Sequence, residues 1–308
     1  MKSNFALRCI TAVVAICTAA IGLGGCNSND ENKVSVTDNL LASVQKSGDS
    51  PNYDFNDTVK KPEGYDNFVK KTGNMALQLL KQTDYTKSNT VVSPVSTALS
   101  MASVENAVTK SAQKEIKNHL GKSNQTVEEI NSCAAYLTQR LEFFNNDNAG
   151  IFSVNSMWVS DKLSPKRSFL QKLENYYNVS AYETDFTNSK SNTLIKNYIS
   201  DYSKGLIDAK SVNTGYDYKL YIDSSVVVSD SWLRGYGESD VKQGSFSNQS
   251  GSTAKVNFLT SAERTFSDES AEGFVKELKN IPCKLVCIMP NKGVSLEKYL
   301  NELTADEF

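Results

Sequence analysis

The chain offers few side chains for acid–base or nucleophilic chemistry. It has a single histidine, His119, so a catalytic triad would have one possible base and a histidine-rich zinc site cannot form. It contains no Gly-x-Ser-x-Gly, Walker loop, His-Glu-x-x-His or Gly-x-Gly-x-x-Gly motif. His119 lies near the predicted end of a helix, where an imidazole is usually solvated or packed. We therefore expect a protein that is not an enzyme and that uses no cofactor or metal.

Among the six cysteines, Cys26 has the most specific context for chemistry. Lys2 and Arg8 precede an uncharged, mostly apolar run at residues 10–23, which is too short for a transmembrane helix and suits a signal peptide. Leu23-Gly-Gly-Cys26 resembles the bacterial lipobox, in which a lipoprotein signal peptidase cuts before a diacylated cysteine. The alternative is an ordinary secretory signal with a chance cysteine.

The lipobox predicts the first two segments of the chain. Residues 1–25 are expected to be a lipoprotein signal peptide, and residues 26–61 the lipidated cysteine followed by a flexible tether. The tether is rich in Asn, Asp, Ser and Lys, which is typical of solvated chain. Two or three acyl chains on Cys26 would attach the protein stably to a membrane without a spanning helix. We expect an extracytoplasmic bacterial lipoprotein, held at the cell membrane or exposed at the cell surface.

Three cysteines follow Cys26, an odd number that cannot be fully paired within the chain. Cys283 and Cys287 lie in an apolar run with the character of a buried strand, which would place them ~13 Å apart, beyond the ~7 Å limit for a disulfide. Cys133 lies in a predicted helix. We interpret all three as buried free thiols, although the sequence leaves their redox state open.

The composition indicates a folded protein that does not bind nucleic acid. Thirty-three Lys and Arg against 35 Asp and Glu give a net charge of −2, so the chain lacks the positive field that binds phosphates. Residues 62–308 contain no internal repeat and no evident boundary, which favours one domain. We also expect the protein to be a monomer.

Apolar periodicity and capping residues predict a helical first half and a strand-rich second half. This order favours an α+β fold over alternating βαβ units. Helices are predicted at 65–82, from Ser93-Pro94, from Ser111 to 120, from the capping box Thr126-x-x-Glu129, and at 164–177, 192–204 and 296–303. Strands are predicted at 151–160, 181–186, 218–228, 256–259, 274–278 and 285–289.

The order of these segments resembles that of the serpin family. Asn89 to Leu99 is similar to the stretch in which serpins pass from a core strand into helix B, with the Ser-Pro-x-Ser of the shutter at Ser93, Pro94 and Ser96. Other segments match serpin helices C and F and several strands: Lys114–Gly121, Ser153–Val159, Ser164–Tyr177, Asp185-Phe186, Asn197–Ile207, Val256–Leu259, Glu277-Leu278 and Ile288–Pro290. Trp232 stands where the family has the tryptophan that ends a long central strand.

The resemblance implies a serpin-like fold over residues 62–308, with helices packed around several mainly antiparallel sheets. It also implies inhibition of a serine, or in some cases a cysteine, protease through insertion of a cleaved reactive loop into the central sheet. Such a sheet must open at the shutter, a role implied for Ser93, Pro94, Ser96, Ser224 and Trp232. The alternatives are a helix cap for Ser93, simple packing for Ser96 and a core role for Trp232.

The sequence also departs from the serpin pattern. The Gly-Ala-x-Gly turn is replaced by Asn106–Thr109, the asparagine of the central strand by Ser224, and the apolar residue before it by Asp223. The resemblance stops near Glu307, ahead of the reactive loop and last core strands, so we expect a fragment or an inactive, C-terminally truncated copy. The alternative function is a non-inhibitory surface lipoprotein that binds a carbohydrate or host component through tyrosines such as those at 216–221.

Overall fold

The computed structural model describes residues 39–85, 89–147, 149–209, 212, 214, 218–248, 251–304, 306 and 307. The predicted signal peptide and Cys26 lie outside the described residues. The chain forms two compact units. The first comprises residues up to 143, 151–227 and 304–308, and the second residues 144–150 and 228–303. In the described ranges, no helix has the length and apolar character needed to cross a membrane.

Helices dominate the first unit, and two of them begin at the predicted capping residues. Ser93 caps the second helix with Pro94 in its first turn, and Thr126 and Glu129 form the predicted capping box. The third helix is capped by Thr109 instead of the predicted Ser111. The helices are α1 (Tyr65–Gln82), α2 (Pro94–Glu105), α3 (Lys110–Leu120), α4 (Val127–Glu142), α5 (Arg167–Tyr176) and α6 (Ser189–Tyr202), preceded by a 3₁₀ turn at Leu40–Ser43.

A three-stranded sheet lies among these helices, with strand order β2-β1-β3. Its strands are β1 (Gly150–Ser160), β2 (Ser180–Thr184) and β3 (Leu220–Ser229). β1 and β2 are parallel. The Ser160 amide at the end of β1 donates to the Lys219 carbonyl just before β3, so β3 runs antiparallel to β1.

Two apolar clusters form the core of the first unit. One joins α1, α2, α4 and α5 around fully buried side chains such as Phe68, Ile130 and Leu173. The other packs α6 on the sheet, through Trp158 of β1, Tyr182 of β2 and Tyr198 of α6. Because most of these helices bury one apolar stripe, and α2 buries most of its residues, this packing supplies most of their stability.

Residues 39–61, which the composition predicts to be part of a solvated tether, are packed against the first unit. Leu41 and Val44 are buried in the first core cluster. Further along, the Tyr53 amide donates to Oε1 of Gln139, while Nε2 of the same glutamine donates to the Pro51 carbonyl. A few apolar side chains and two reciprocal hydrogen bonds are enough to hold a segment whose average composition is polar.

The second unit is built of antiparallel strands and one short helix. β4 (Val241–Ser247) pairs with β5 (Thr253–Leu259), and a separate sheet has the order β6-β7-β8. Its members are β6 (Arg264–Ser267), β7 (Ala271–Glu277) and β8 (Lys284–Pro290), and α7 (Leu296–Glu302) follows. The sequence predicted β5, β7, β8 and α7 but not β4 or β6.

The three described cysteines are free, as predicted. Cys133 is fully buried in α4, and burial raises the pKa of its thiol to about 12. Cys283 and Cys287 are only half-buried, contrary to the prediction that they are core residues. The reason is that β8 exposes apolar side chains on both of its faces, Val286 and Met289 among them.

Candidate functional site

The predicted shutter residues at the start of α2 form a local hydrogen-bonded turn. The Ser96 amide donates to Oγ of Ser93 at 3.3 Å, and the two serine hydroxyls share a hydrogen bond of 2.7 Å. Oγ1 of Thr97 donates to the Ser93 carbonyl at 3.0 Å. Ser96 is buried. This geometry agrees with the capping role of Ser93 and the packing role of Ser96, and a shutter role for them stays a prediction.

Ser224, the fourth predicted shutter residue, connects β3 to β1. Its side chain is buried, and its Oγ donates to Oδ1 of Asn155 at 2.6 Å. Nδ2 of Asn155 in turn donates to the Asn178 carbonyl at 3.0 Å, and the Tyr198 hydroxyl donates to the Asn155 carbonyl at 3.2 Å. Asn155 thus ties β1 to β3, to α6 and to the chain after α5. A change in the spacing of β1 and β3 at this point would have to break the hydrogen bond between Ser224 and Asn155.

A small cavity of about 20 Å³ lies beside Ser224. Its volume suits one water molecule. Oγ of Ser100 is buried and has no hydrogen-bond partner among the described residues. The side chains on the wall that can make polar contacts include Ser100, Ser103, Asn155, Tyr177, Asp223 and Ser224. At this point the core between α2 and the sheet contains several polar side chains and a void the size of one water molecule.

Two carboxyl groups in the first unit have strongly perturbed acidities. Burial raises the pKa of Asp223 to about 7, against an opposing hydrogen bond from Oγ of Ser225 at 3.5 Å. Burial likewise raises the pKa of Glu105 at the end of α2 to about 7, although the charge of Lys117 opposes it. Both carboxylate oxygens of Glu105 lack hydrogen-bond partners among the described residues.

Asn106 stands where the serpin pattern has the first glycine of a turn, and its side chain pairs with that of Asn131. Asn106 and Asn131 donate to each other's Oδ1 atoms at 2.9 Å. The Tyr177 hydroxyl, which lines the cavity, also donates to Oδ1 of Asn131 at 2.6 Å. The turn after α2 is therefore held by side-chain hydrogen bonds to α4.

A second candidate site lies within the second unit, around Lys276 of β7. Its side chain is 2% exposed, and its Nζ donates to Oε1 of Glu263 and to the Arg234 carbonyl. The ammonium lies 5.4 Å from the ring centre of Trp232 and 4.3 Å from that of Tyr236. We call Lys276, Glu263, Trp232 and Tyr236 the lysine cage. Its cation is satisfied by one carboxylate, one carbonyl and two aromatic faces.

In the described part of the chain, no three His, Cys, Asp or Glu side chains lie close enough together to hold a metal ion.

A family model described as Serpin (serine protease inhibitor) matches residues 70–308, which is most of the chain. The chain belongs to the serpin family. Serpins are generally inhibitors of proteases and not enzymes, and some members are non-inhibitory. The prediction made from the order of the motifs is thereby confirmed. No curated protein matches the chain significantly.

Solved serpin structures share the fold of this chain. Native tengpin, a thermophilic serpin, has 23% sequence identity and a TM-score of 0.77, with 88% of this chain and 67% of tengpin covered. Human glycosylated kallistatin has 14% identity and a TM-score of 0.69, with 78% and 67% covered. Human thyroxine-binding globulin, cleaved in its reactive loop, has 16% identity and a TM-score of 0.69, with 79% and 74% covered. These likenesses confirm the serpin-like α+β fold, and this serpin spans about two thirds of the length of tengpin.

The structure separates the predicted shutter residues of this serpin into three places. Ser93, Pro94 and Ser96 form the start of α2. Ser224 of β3 donates a hydrogen bond to Asn155 of β1, and Trp232 belongs to the lysine cage. Trp232 is half-buried and forms an isolated antiparallel bridge with Leu278, so it is a wall of the cage and not a core residue.

Asn155, Asp223 and Lys276 are among the residues of these sites that were not predicted as site residues. Asn155 stood within a recognised serpin motif, but serines stand in the same strand, so its polar side chain was not a distinctive signal. Asp223 was noticed only as a departure from the family pattern. No signal in the sequence distinguished Lys276 from the other lysines on strands.

Proposed function

We propose that this serpin, as the full-length product of its gene, inhibits a serine-type endopeptidase outside the cytoplasm of a bacterium. The match of the family model over residues 70–308 carries the proposal. The serpin mechanism inserts a cleaved loop beside a strand of the central sheet.

The proposed inhibition predicts a covalent complex between the full-length serpin and its target. We expect incubation with a panel of serine proteases to give, for at least one of them, a band that resists SDS and has the summed mass of both proteins. The same protease with its active-site serine chemically blocked should give no such band, because the complex is an acyl-enzyme. A panel that yields only cleaved serpin would contradict inhibition and favour the alternative below.

We also propose that the protein is a lipoprotein attached to the membrane through Cys26. The support is the basic, apolar and small-residue order of residues 2–26, and such a cysteine is acylated before cleavage. A monomer anchored in this way would meet its protease outside the cell membrane.

Substitution of the lipobox cysteine should abolish lipid incorporation. In cells fed a fatty-acid analogue, the wild-type protein should be labelled and the Cys26→Ala variant should carry no label. Cys17→Ala is the matched control, because Cys17 lies in the segment that cleavage removes, and this variant should be labelled like the wild type. Label on Cys26→Ala, or none on the wild type, would show that the segment is an ordinary secretory signal.

One observation favours the alternative function, a non-inhibitory surface lipoprotein that binds a carbohydrate. The rings of Tyr218 and Tyr221 are nearly parallel, at 11°, with centres 6.5 Å apart, and Tyr218 is exposed. Tyr216 of the same stretch lies outside the described residues. Exposed parallel rings can stack on sugar faces. Binding of the wild type to a glycan array, lost in the Tyr218→Ala variant, would therefore support this function over inhibition.

A further inference from the structure

The segment that joins β1 to the first turn of α5 carries three cations and no acid. Lys162, Lys166 and Arg167 stand within six residues, and all three are exposed. Leu163 between them is 41% exposed. No ion pair of the described residues includes any of the three cations. We call residues 162–167 the basic segment. It presents three solvated positive charges around an apolar side chain.

The charges of the basic segment do not stabilise the helix that follows them. α5 begins at Arg167 after Lys166, without a side-chain cap and without an acidic residue in its first turn. Positive charge at this end of a helix opposes the helix dipole, and an acid or a capping side chain would be favourable there. The stability of α5 therefore does not account for these cations, which are available for a contact with an anionic partner.

The end of the sheet beside the basic segment is positive overall. The Asp161 amide donates to the Thr184 carbonyl, so the segment lies next to the end of β2. The start of β3 and the start of α6 meet at the same end. The described residues of 161–167, 183–190 and 218–219 carry five exposed cations and three acids: Lys162, Lys166, Arg167, Lys190 and Lys219, against Asp161, Glu183 and Asp185.

The chain enters the first unit at this same end of the sheet. Asn39 forms an antiparallel bridge with Tyr182 of β2. Because β2 runs from Ser180 to Thr184, the backbone at Asn39 runs from the carboxyl end of β2 toward its amino end. A chain that arrives from an anchored Cys26 therefore meets the first unit on the side that carries the basic segment.

We propose that this end of the first unit docks on an anionic phospholipid surface, with the basic segment against the headgroups. Leu163 enters the headgroup region, as exposed apolar side chains do at membrane interfaces. A membrane fits better than a soluble polyanion because the direction of the chain at Asn39 points to the same face independently of the charges. The orientation on the membrane rests on the proposed lipidation of Cys26, whereas the affinity of the basic segment for anionic lipid does not.

The basic segment acts on orientation more than on attachment. Each lysine or arginine close to an anionic membrane strengthens binding only about fivefold. A segment with three cations would bind weakly by itself, but a lipid on Cys26 would keep it at a high effective concentration next to the headgroups. The lipid would then hold the protein at the membrane, and the basic segment would fix which end of the sheet faces it.

Sedimentation with vesicles tests the docking surface. The protein used is the chain from residue 26 with Cys26→Ala, so that neither the apolar residues 10–23 nor a lipid contributes. We expect it to sediment with vesicles of equal parts phosphatidylglycerol and phosphatidylcholine, and not with phosphatidylcholine alone. Binding should weaken when the salt concentration is raised from about 0.01 M to about 0.1 M, because the Debye length falls. The net charge of this chain is negative, so binding to anionic vesicles requires a local positive surface.

A triple variant removes the charges of the basic segment: Lys162→Gln, Lys166→Gln and Arg167→Gln. It should bind anionic vesicles roughly a hundredfold more weakly, at about fivefold for each cation. A matched triple variant removes three exposed cations of the second unit: Lys242→Gln, Lys255→Gln and Lys279→Gln. This control should bind like the unsubstituted chain. Circular dichroism should show that both variants are folded.

Hydrogen–deuterium exchange locates the contact without any substitution in the folded body. Peptides covering residues 161–169 should exchange more slowly when anionic vesicles are present, while peptides from β5 and β7 should not change. The proposal is overturned if the chain does not bind anionic vesicles, if the triple variant of the basic segment binds them as well as the control, or if the chain binds only soluble polyphosphate. Because lipid labelling of Cys26 is measured separately, failure of docking is distinguishable from failure of the lipid anchor.

Discussion

Replacement of Trp158 by alanine is expected to lower the free energy of unfolding by about 3–5 kcal/mol. Trp158 is 1% exposed, and its ring centre lies 4.8 Å from that of Tyr182 and 6.0 Å from that of Tyr198. Its Nε1 donates to Oγ of Ser156 at 2.9 Å. The substitution thus leaves a large cavity where α6 packs on the sheet and an orphaned buried hydroxyl. Since domains are typically stable by about 5–15 kcal/mol, the variant should retain little stability.

Urea denaturation followed by circular dichroism measures this loss. Leu206→Ala is the control in the same unit, because Leu206 is 48% exposed and its truncation should cost less than about 0.5 kcal/mol. Trp158→Phe should have an intermediate effect, since a ring is kept and the hydrogen bond to Ser156 is lost. A loss for Trp158→Ala as small as that for Leu206→Ala would show that the aromatic cluster does not hold α6 to the sheet.

Substitution of Lys276 by methionine should destabilise the second unit much more than the loss of a surface ion pair. Methionine retains the apolar stem of Lys276 but has no ammonium group. The carboxylate of Glu263 therefore loses its cation, the Arg234 carbonyl loses its hydrogen-bond donor, and the rings of Trp232 and Tyr236 lose their cation–π contacts. Removing one partner of a buried pair is strongly destabilising, whereas exposed pairs contribute little. We expect the drop in denaturation midpoint to be roughly three times that of the matched variant Lys284→Met.

Lys284 is a suitable control because its pair with Glu277 is 48% exposed on both sides and lies in the same sheet. Fluorescence of Trp232 reports locally, since its ring faces the ammonium. The double variant Lys276→Met with Glu263→Gln should recover part of the loss, because no unpaired charge remains. Equal midpoints for Lys276→Met and Lys284→Met would contradict the interpretation of the lysine cage as a buried ion pair.

Local capping chemistry allowed the starts of two helices to be predicted from sequence, and apolar periodicity predicted the others. Ser93-Pro94 and Thr126-x-x-Glu129 begin helices because their side chains satisfy the first amides of the helix, which is a property of four adjacent residues. The strand β4 was missed for an equally local reason. Gly244 interrupts it and suggests a turn, but a Cβ at this position would lie 2.7 Å from the Phe258 ring on β5, so the glycine accommodates a cross-strand aromatic side chain.

The polar contacts of the candidate sites could not be predicted in the same way. Ser224 and Asn155 are 69 residues apart, and their hydrogen bond depends on the register between β1 and β3. The same is true of Lys276, whose partners come from two separate segments, residues 232–236 and Glu263. The family resemblance identified Ser224 as a shutter position, but it gave no reason to select Asp223, because the family has an apolar residue there.

The packing of Leu41 and Val44 into the core limits how far the protein can stand from a membrane. From Cys26 to Asn39, whose side chain accepts a hydrogen bond from the Ala181 amide, there are thirteen residue steps. Such a length of chain spans at most about 47 Å when fully extended. If Cys26 is lipidated and the protein inhibits a protease as proposed, it would reach only proteases that work close to the membrane, and those diffusing freely in the medium would largely escape it.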